Sequence, residues 1–319
     1  MAAPVVMLMG PTGAGKTDAA LALVERWPLE IVSVDSALVF RGMDIGTAKP
    51  PPEVLATVPH HLVDILDPSE SYSAGRFLAD AEAAIADIRD RGRVPLLVGG
   101  TMLYFRALQS GLAPLPAADP ALRQRIDSRG AAEGWPALHA ELARLDPEAA
   151  ARIRPNDRQR IQRALEVITL TGEPISARQR QDLRGSVAKG ALRLVLAPAL
   201  RSAMAERVER RFHRMMELGL LEETRRLHAR GDLDESLPSI RCVGYRQLWA
   251  HLEGRCPLPE AVERGIVSTR QLAKRQLTWL RSEAGAEWFD ALDCGALGRM
   301  SERIGEWLAG QAGGGPGVR

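Results

Sequence analysis

Residues 10–17 read GPTGAGKT and follow directly on the apolar run Val5-Val6-Met7-Leu8-Met9. The run fits G-x-x-x-x-G-K-[ST], in which a loop between a strand and a helix closes its backbone N–H groups on phosphate oxygens. Gly10, Gly13 and Gly15 allow the tight turn, and Pro11, Thr12 and Ala14 complete it. The following helix aims its partial positive end at the same point. Lys16 adds a full charge, and the Thr17 hydroxyl has the chemistry to ligate Mg2+. Phosphate binding is therefore expected here; the alternative is an ordinary glycine-rich turn ahead of a helix.

A nucleotide hydrolase also needs an acid at the end of a neighbouring apolar strand, to organise magnesium and water. The best candidate strand, Val94-Pro95-Leu96-Leu97-Val98, ends instead in Gly99-Gly100-Thr101. There is no Asn-Lys-x-Asp run for guanine recognition either. The acid in the right place is Asp35, at the carboxyl end of Ile31–Val34, because that edge of an open α/β sheet faces the ligand crevice. Asp35 is then a general base or a magnesium organiser, unless Asp35-Ser36 merely caps a turn.

The elements that must hold these residues can be read from periodicity. Apolar runs at 5–9, 31–34 and 94–98 alternate with helical patterns, and in one of these Phe77, Ala81, Ile85 and Ile88 share a face between a Ser73 cap and Gly92. Repeated β-α-β units with apolar strands predict a P-loop-type α/β fold, a parallel sheet flanked by helices. The alternation stops at Gly111. From about 119 to 189 the patterning is helical with no convincing strand, and Leu192–Leu196 is strand-like again. Helices follow at about 201–230 and 258–282, with a short edge strand near Trp288-Phe289. We therefore expect a catalytic core from 1–111 and 191–309, an inserted all-helical subdomain at 112–190, and a flexible tail at 310–319.

Bulk properties narrow the class. A net charge of +2 puts any nucleic-acid affinity in local arginine clusters. Cys242, Cys256 and Cys294 lack metal or disulfide-framework spacing, which suits a reducing cytoplasm. Cleaving the N-terminus as a signal peptide would destroy the loop, and no apolar run approaches the ~18–20 residues that span a bilayer. A cytoplasmic, monomeric protein with no membrane partner is expected.

Five ordered blocks go further: DSALVFRGMDIGTAKP (35–50), HHLVDILDP (60–68), LLVGGTMLYFRAL (96–108), NDRQRIQRALEV (156–167) and SIRCVGYRQ (239–247). With RQLAKRQLTWLR (270–281), they resemble the bacterial tRNA dimethylallyltransferases, also called tRNA isopentenyltransferases. The resemblance implies transfer of a dimethylallyl group from dimethylallyl pyrophosphate to N6 of the adenosine just 3′ of the anticodon, with Mg2+. The loop would then hold prenyl pyrophosphate rather than ATP. Asp35 would accept the N6 proton, Thr101 would hydrogen-bond the reacting amine, and Arg211 would lie near the pyrophosphate, although the adjacent Arg210 fits that alignment too. Two positions depart from the D-S-x-Q-x-Y found in many members, which have Gln and Tyr where this chain has Leu38 and Phe40. Ala14 also replaces a common loop Ser.

The same resemblance implies tRNA contacts at Asp35, Ser36, Ala37 and Leu38, at Thr101 and Arg123, and at Gln159, Arg160, Ile161, Gln162 and Arg163. It extends them to Arg241, Cys242, Val243, Gly244, Tyr245 and Arg246. From the residues themselves, RIRPNDRQRIQR sets five arginines against one acid, with Ile161, Leu165 and Ile168 as the buried stripe; an RNA face and a solvated helix face both fit. Arg270, Lys274 and Arg281 share one face of a later helix and read as an RNA stripe or a solubilising surface. Tyr245 is a stacking platform or core. His60 and His61 are structural, since adjacent side chains point apart. An adenine in the anticodon loop must leave its stack to react. A P-loop kinase of a nucleoside or small metabolite, and a non-catalytic RNA-binding switch, are the competing functions.

Overall fold

All four residues of β1 (Val6–Met9) are buried. Continuous apolar runs are what a parallel strand needs when helices cover both of its faces. The computed structural model describes residues 4–180 and 187–312. After β1 come α1 (Lys16–Arg26), β2 (Leu29–Val34), α2 (Pro52–Thr57), β3 (His60–His61), α3 (Ala74–Asp90), β4 (Val94–Gly99) and α4 (Met102–Ser110). A helical stretch follows: α5 (Pro120–Glu133), α6 (Trp135–Leu145), α7 (Pro147–Arg152), α8 (Arg158–Thr171) and α9 (Ile175–Gln179). The chain then continues through β5 (Leu192–Ala197), α10 (Arg201–Glu217), α11 (Leu220–His228), α12 (Tyr245–Leu252), α13 (Leu258–Leu280), β6 (Glu287–Asp290) and α14 (Ala296–Ala312).

The six strands form one sheet in the order β3-β2-β4-β1-β5-β6, and every pairing is parallel. In β1, Leu8 is in register with Val98 of β4 on one side and Leu194 of β5 on the other. One apolar cluster joins the sheet to α1 and α14 through Ala20, Leu23, Met300 and Ile304, and the Trp27 indole donates to Ser301 Oγ at 3.0 Å. A second gathers Phe40, Met43 and Leu66 with Phe212, Tyr245 and Trp249 from α10 and α12.

Local chemistry explains the helix ends. Ser73 caps α3 by accepting the Arg76 N–H, and Asp119 and Asp157 do the same for α5 and α8. A helix expected over 201–230 is in fact two, because Gly219 sits at φ 99° between α10 and α11. β3 was not read as a strand; two residues carry no period. α14 continues to Ala312, past the expected start of a tail at 310, with Trp307 and Leu308 packed on the core. The rest of that tail, and 181–186 of the insertion, lie outside the described residues.

Two compact units result. One is built from the chain up to Gln109 and from Val187 onward; the other begins at Ser110. The elements of the second unit, α5 to α9, are all helices, packed around Leu122, Ile126, Leu138, Leu142 and Leu165. The buried Glu166 is its polar centre. It takes bonds from Arg123 Nε at 2.8 Å, Arg163 Nη1 at 2.6 Å and the Asp119 amide at 2.9 Å. No helix among the described residues is long and apolar enough to cross a membrane.

At its carboxyl edge the sheet is tight. A Cβ on Gly99 would lie 2.0 Å from the Val34 carbonyl oxygen, and one on Gly10 would lie 2.2 Å from that of Leu196. Neither obstacle is a side chain that can swing away. Gly99→Ala should therefore destabilise the protein by about 3 kcal/mol, seen as a lower urea midpoint at unchanged slope.

Candidate active site

β1 delivers the phosphate loop to the carboxyl edge of the sheet, β2 delivers Asp35, and β4 delivers Gly100-Thr101. The Thr101 N–H bonds the Val34 carbonyl at 3.2 Å, and the Thr101 hydroxyl accepts the Ser36 N–H at 3.1 Å. These bonds tie the second and third turns together, so Asp35 and Thr101 face one space. Asp35 does cap its own turn, with Oδ1 accepting the Ala37 N–H at 2.8 Å. Its second oxygen has no partner among the described residues, so capping leaves it free for chemistry.

The space is a cavity of about 580 Å³, lined by Thr12, Asp35, Thr101, Arg211, Arg241, Cys242 and Gln276 among others. Its charge is mostly positive. Lys16 Nζ leans back on the Pro11 carbonyl at 2.8 Å. Burial lowers the Lys16 pKa to about 8; the nearby Asp35 charge opposes that shift and Arg211 adds to it. Burial also lowers Arg211 below the usual guanidinium range, again opposed by Asp35. The same burial, reinforced by Asp35, pushes the Cys242 thiol up to about 12 and keeps it neutral. Ala14 is buried inside the loop, while Thr17 is exposed on the first turn of α1.

Two supporting residues were not singled out in the sequence. Gln276 of α13 accepts the Thr12 N–H at 2.9 Å and donates to the Gly100 carbonyl at 2.9 Å, so one amide holds the phosphate loop and the threonine turn together. A Cβ on Gly100 would fall 2.4 Å from that amide nitrogen. Glu223 of α11, only 2% exposed, accepts the backbone N–H groups of Asp44, Ile45 and Gly46 at 2.9–3.1 Å and the Tyr245 hydroxyl at 2.5 Å. It fixes the segment whose Gly46 and Thr47 form a cavity wall. No spacing rule exposes either residue; Gln276 falls within the 270–281 block quoted above, and Glu223 lies in none of the blocks.

The remaining expected RNA-contact residues scatter. Ser36, Ala37, Arg241, Cys242 and Val243 line the cavity. Leu38 is half-buried just after them, and Phe40 is wholly buried, so its ring is core. Tyr245 is also fully buried with its hydroxyl on Glu223, which settles that choice for core. Gly244 is buried at φ 96° ahead of α12. Arg246 instead borders a separate cavity of about 460 Å³ with Arg255 and Arg264.

On α13, Arg270 pairs with Glu209 at 2.6 Å, while Lys274 and Arg281 are exposed and without a carboxylate partner among the described residues. In the helical unit the arginine run is less acid-poor than its sequence suggests. Arg158 pairs with Asp127, Arg152 with Glu148, and Arg123 and Arg163 with Glu166. Ile161 is fully buried, contrary to its place among contact residues, because it lies on the apolar stripe. Gln162 bonds Asp127 at 2.7 Å. Gln159 and Arg160 are exposed, and Arg160 keeps only a 3.5 Å approach to Asp157.

A parallel sheet whose central strand feeds a glycine-rich loop, beside a cavity with one free carboxylate, defines a P-loop-type α/β protein. The chain belongs to the IPP transferase family, whose model matches residues 38–283. It is 58% identical over 310 residues to the tRNA dimethylallyltransferase of Bordetella petrii, an alignment covering 97% of this chain and 99% of that one. The crystal structure of the tRNA isopentenylpyrophosphate transferase from Bacillus halodurans is similar at 38% identity and a TM-score of 0.69, covering 96% of each chain. A eukaryotic dimethylallyltransferase, solved acting on tRNA, matches at 25% identity with a TM-score of 0.80 over 96% of this chain and 80% of that one.

Two measurements test this arrangement. Removing the Glu223 carboxylate strands four buried donors, so Glu223→Ala should cost about 3–5 kcal/mol in urea unfolding, and Glu223→Gln distinctly less. Lys16 is cationic below about pH 8 and loses its charge as pH rises through that value. Calorimetric affinity for a diphosphate ester should accordingly hold below pH 8 and fall up to tenfold per pH unit above it.

Proposed function

We propose that this protein transfers the dimethylallyl group of dimethylallyl pyrophosphate to N6 of the adenosine 3′-adjacent to the anticodon in tRNA. The observation that carries the reading is a phosphate loop with no hydrolase acid beside it, facing a cavity whose free carboxylate and threonine hydroxyl are tied into one unit. The names of the relatives point the same way.

In this reading the diphosphate lies in the loop, against the amides of Gly13 and of Gly15 to Thr17, with Lys16 and Arg211 beside it. The adenine leaves its stack and enters the cavity, whose volume suits one nucleoside and a five-carbon chain. Thr101 orients the exocyclic amine. The allylic C–O bond breaks with its electron pair passing to the diphosphate, the N6–C bond forms, and the N6 proton passes to the free oxygen of Asp35. An amine proton becomes acidic only as that bond forms, so a carboxylate ready at neutral pH suffices. Positive groups around the loop stabilise the charge that develops on the leaving group.

The donor set fits magnesium held chiefly by its substrate. Among the described residues no three acidic, histidine or cysteine side chains gather into a metal cage, and Thr17 offers one exposed hydroxyl at the loop. Mg2+ commonly keeps waters and substrate phosphates as its remaining ligands, and it would neutralise the departing diphosphate. For the tRNA anticodon stem-loop, Arg241 at the cavity, Lys274 and Arg281 on α13, and Arg160 in the helical unit are among the cations available. The protein acts as a cytoplasmic monomer on this reading.

The test incubates the protein with Mg2+, dimethylallyl pyrophosphate and unmodified tRNA, without ATP, followed by nucleoside mass spectrometry. A dimethylallyl gain on adenosine is expected, and Asp35→Ala should remove it while tRNA binding stays within a fewfold. An ATP-dependent product on a small acceptor, with unmodified tRNA, would sink the reading in favour of a kinase.

A further inference from the structure

Arg207 lies on α10, four residues before Arg211 and therefore on the same helical face. α10 is seated on the loop: a Cβ on Gly13 would meet Val208 at 3.8 Å and Met204 at 4.0 Å. From that seat Arg207 Nε donates to the Gly13 carbonyl at 2.9 Å. Its Nη2 lies 3.5 Å from where a Cβ would stand on Gly15, the residue that opens α1. One edge of the guanidinium thus holds the loop backbone, and the other lies beside Gly15, the residue at the start of α1 whose N-terminal end favours anions. Among the described residues no carboxylate pairs with Arg207, whereas Arg270, Arg214 and Arg230 all have one.

The charge of the site supplies the reason. A diphosphate ester arrives with two to three negative charges and departs with one more. Lys16 loses its charge as pH rises past about 8, and Arg211 shares its field with Asp35. A second guanidinium over the loop, with its Nε already fixed, offers its remaining N–H groups to phosphate oxygens in a planar fork.

We propose that Arg207 is a second diphosphate-binding arginine, gripping the leaving group from the α10 side while bracing Gly13. This rests on the reading that the loop holds prenyl diphosphate.

The experiment measures inorganic diphosphate binding by calorimetry, together with the KM for dimethylallyl pyrophosphate and the Kd for tRNA. Wild type is compared with Arg207→Met, Arg207→Lys and Arg207→Gln. We expect Arg207→Met to weaken diphosphate binding and raise the KM at least tenfold, with tRNA affinity within twofold of wild type. A contact of charge on the anion is recovered in part by lysine and not by glutamine.

Recovery by glutamine would reduce Arg207 to a brace for Gly13 and overturn the assignment. Unchanged diphosphate affinity in all three variants would overturn it as well. If Arg207→Met does not fold, the lysine and glutamine variants decide alone, through the same contrast. Wild type that binds no diphosphate at all would instead remove the underlying reading of the loop.

Discussion

The site depends on how closely main chains approach at the carboxyl edge of the sheet. Gly10 abuts the Leu196 carbonyl, Gly99 abuts that of Val34, and Gly100 abuts the Gln276 amide. A side chain at any of these points would push the ends of β1, β2 and β4 apart. That would separate the phosphate loop from Asp35 and Thr101, which no single rotamer change could bring back together. The hydrogen bonds from Thr101 to Val34, from Ser36 to Thr101, from Thr12 to Gln276 and from Gln276 to Gly100 exist because the glycines leave room for them. Precision here comes from absence of volume, and bonding follows.

Electrostatics then separates two jobs within a few residues. Cations and the helix end face the loop, whereas a single carboxylate faces the far side of the cavity, with one oxygen fixed by its own turn. Burial weakens the proton affinity of Lys16 and strengthens that of Cys242, so the lysine gives up its charge above about pH 8 and the thiol in the cavity wall offers no competing nucleophile. Glu223 shows the opposite use of a buried carboxylate. Surrounded by backbone N–H groups and a phenol, it shapes a wall and is closed to chemistry.

Local patterns in the sequence reached far into the fold and stopped at recognisable places. Val5–Met9, Ile31–Val34 and Val94–Val98 announced their strands because both faces are buried, and Ser73 announced α3 by its cap. His60–His61 could not, since pairing with β2 comes from tertiary position alone. Asp35 was legible through the rule that ligands gather at strand ends. Gln276 and Glu223 were not, because a side chain that bonds distant backbone leaves no period. Arg163 shows the converse error: counted among unpaired arginines in the linear run, it meets Glu166 one helical turn away and shares it with Arg123 from another helix.

The placement of β1 between β4 and β5 has a consequence for how the protein is made. A chain leaves the ribosome N-terminus first, and domains tend to fold as units while they emerge. Here β1 can pair with β4 early, but its other edge stays open until Leu192–Ala197 appears, after the whole helical unit has been synthesised. The helices of that unit are contiguous in sequence and have their own core, so they can settle while the nascent half-sheet still waits for its partner. For that interval the phosphate-loop strand presents an unpaired edge of the kind that recruits other chains. The vulnerable moment of this enzyme is therefore its own translation, and a stalled or slowed ribosome between β4 and β5 would lengthen it.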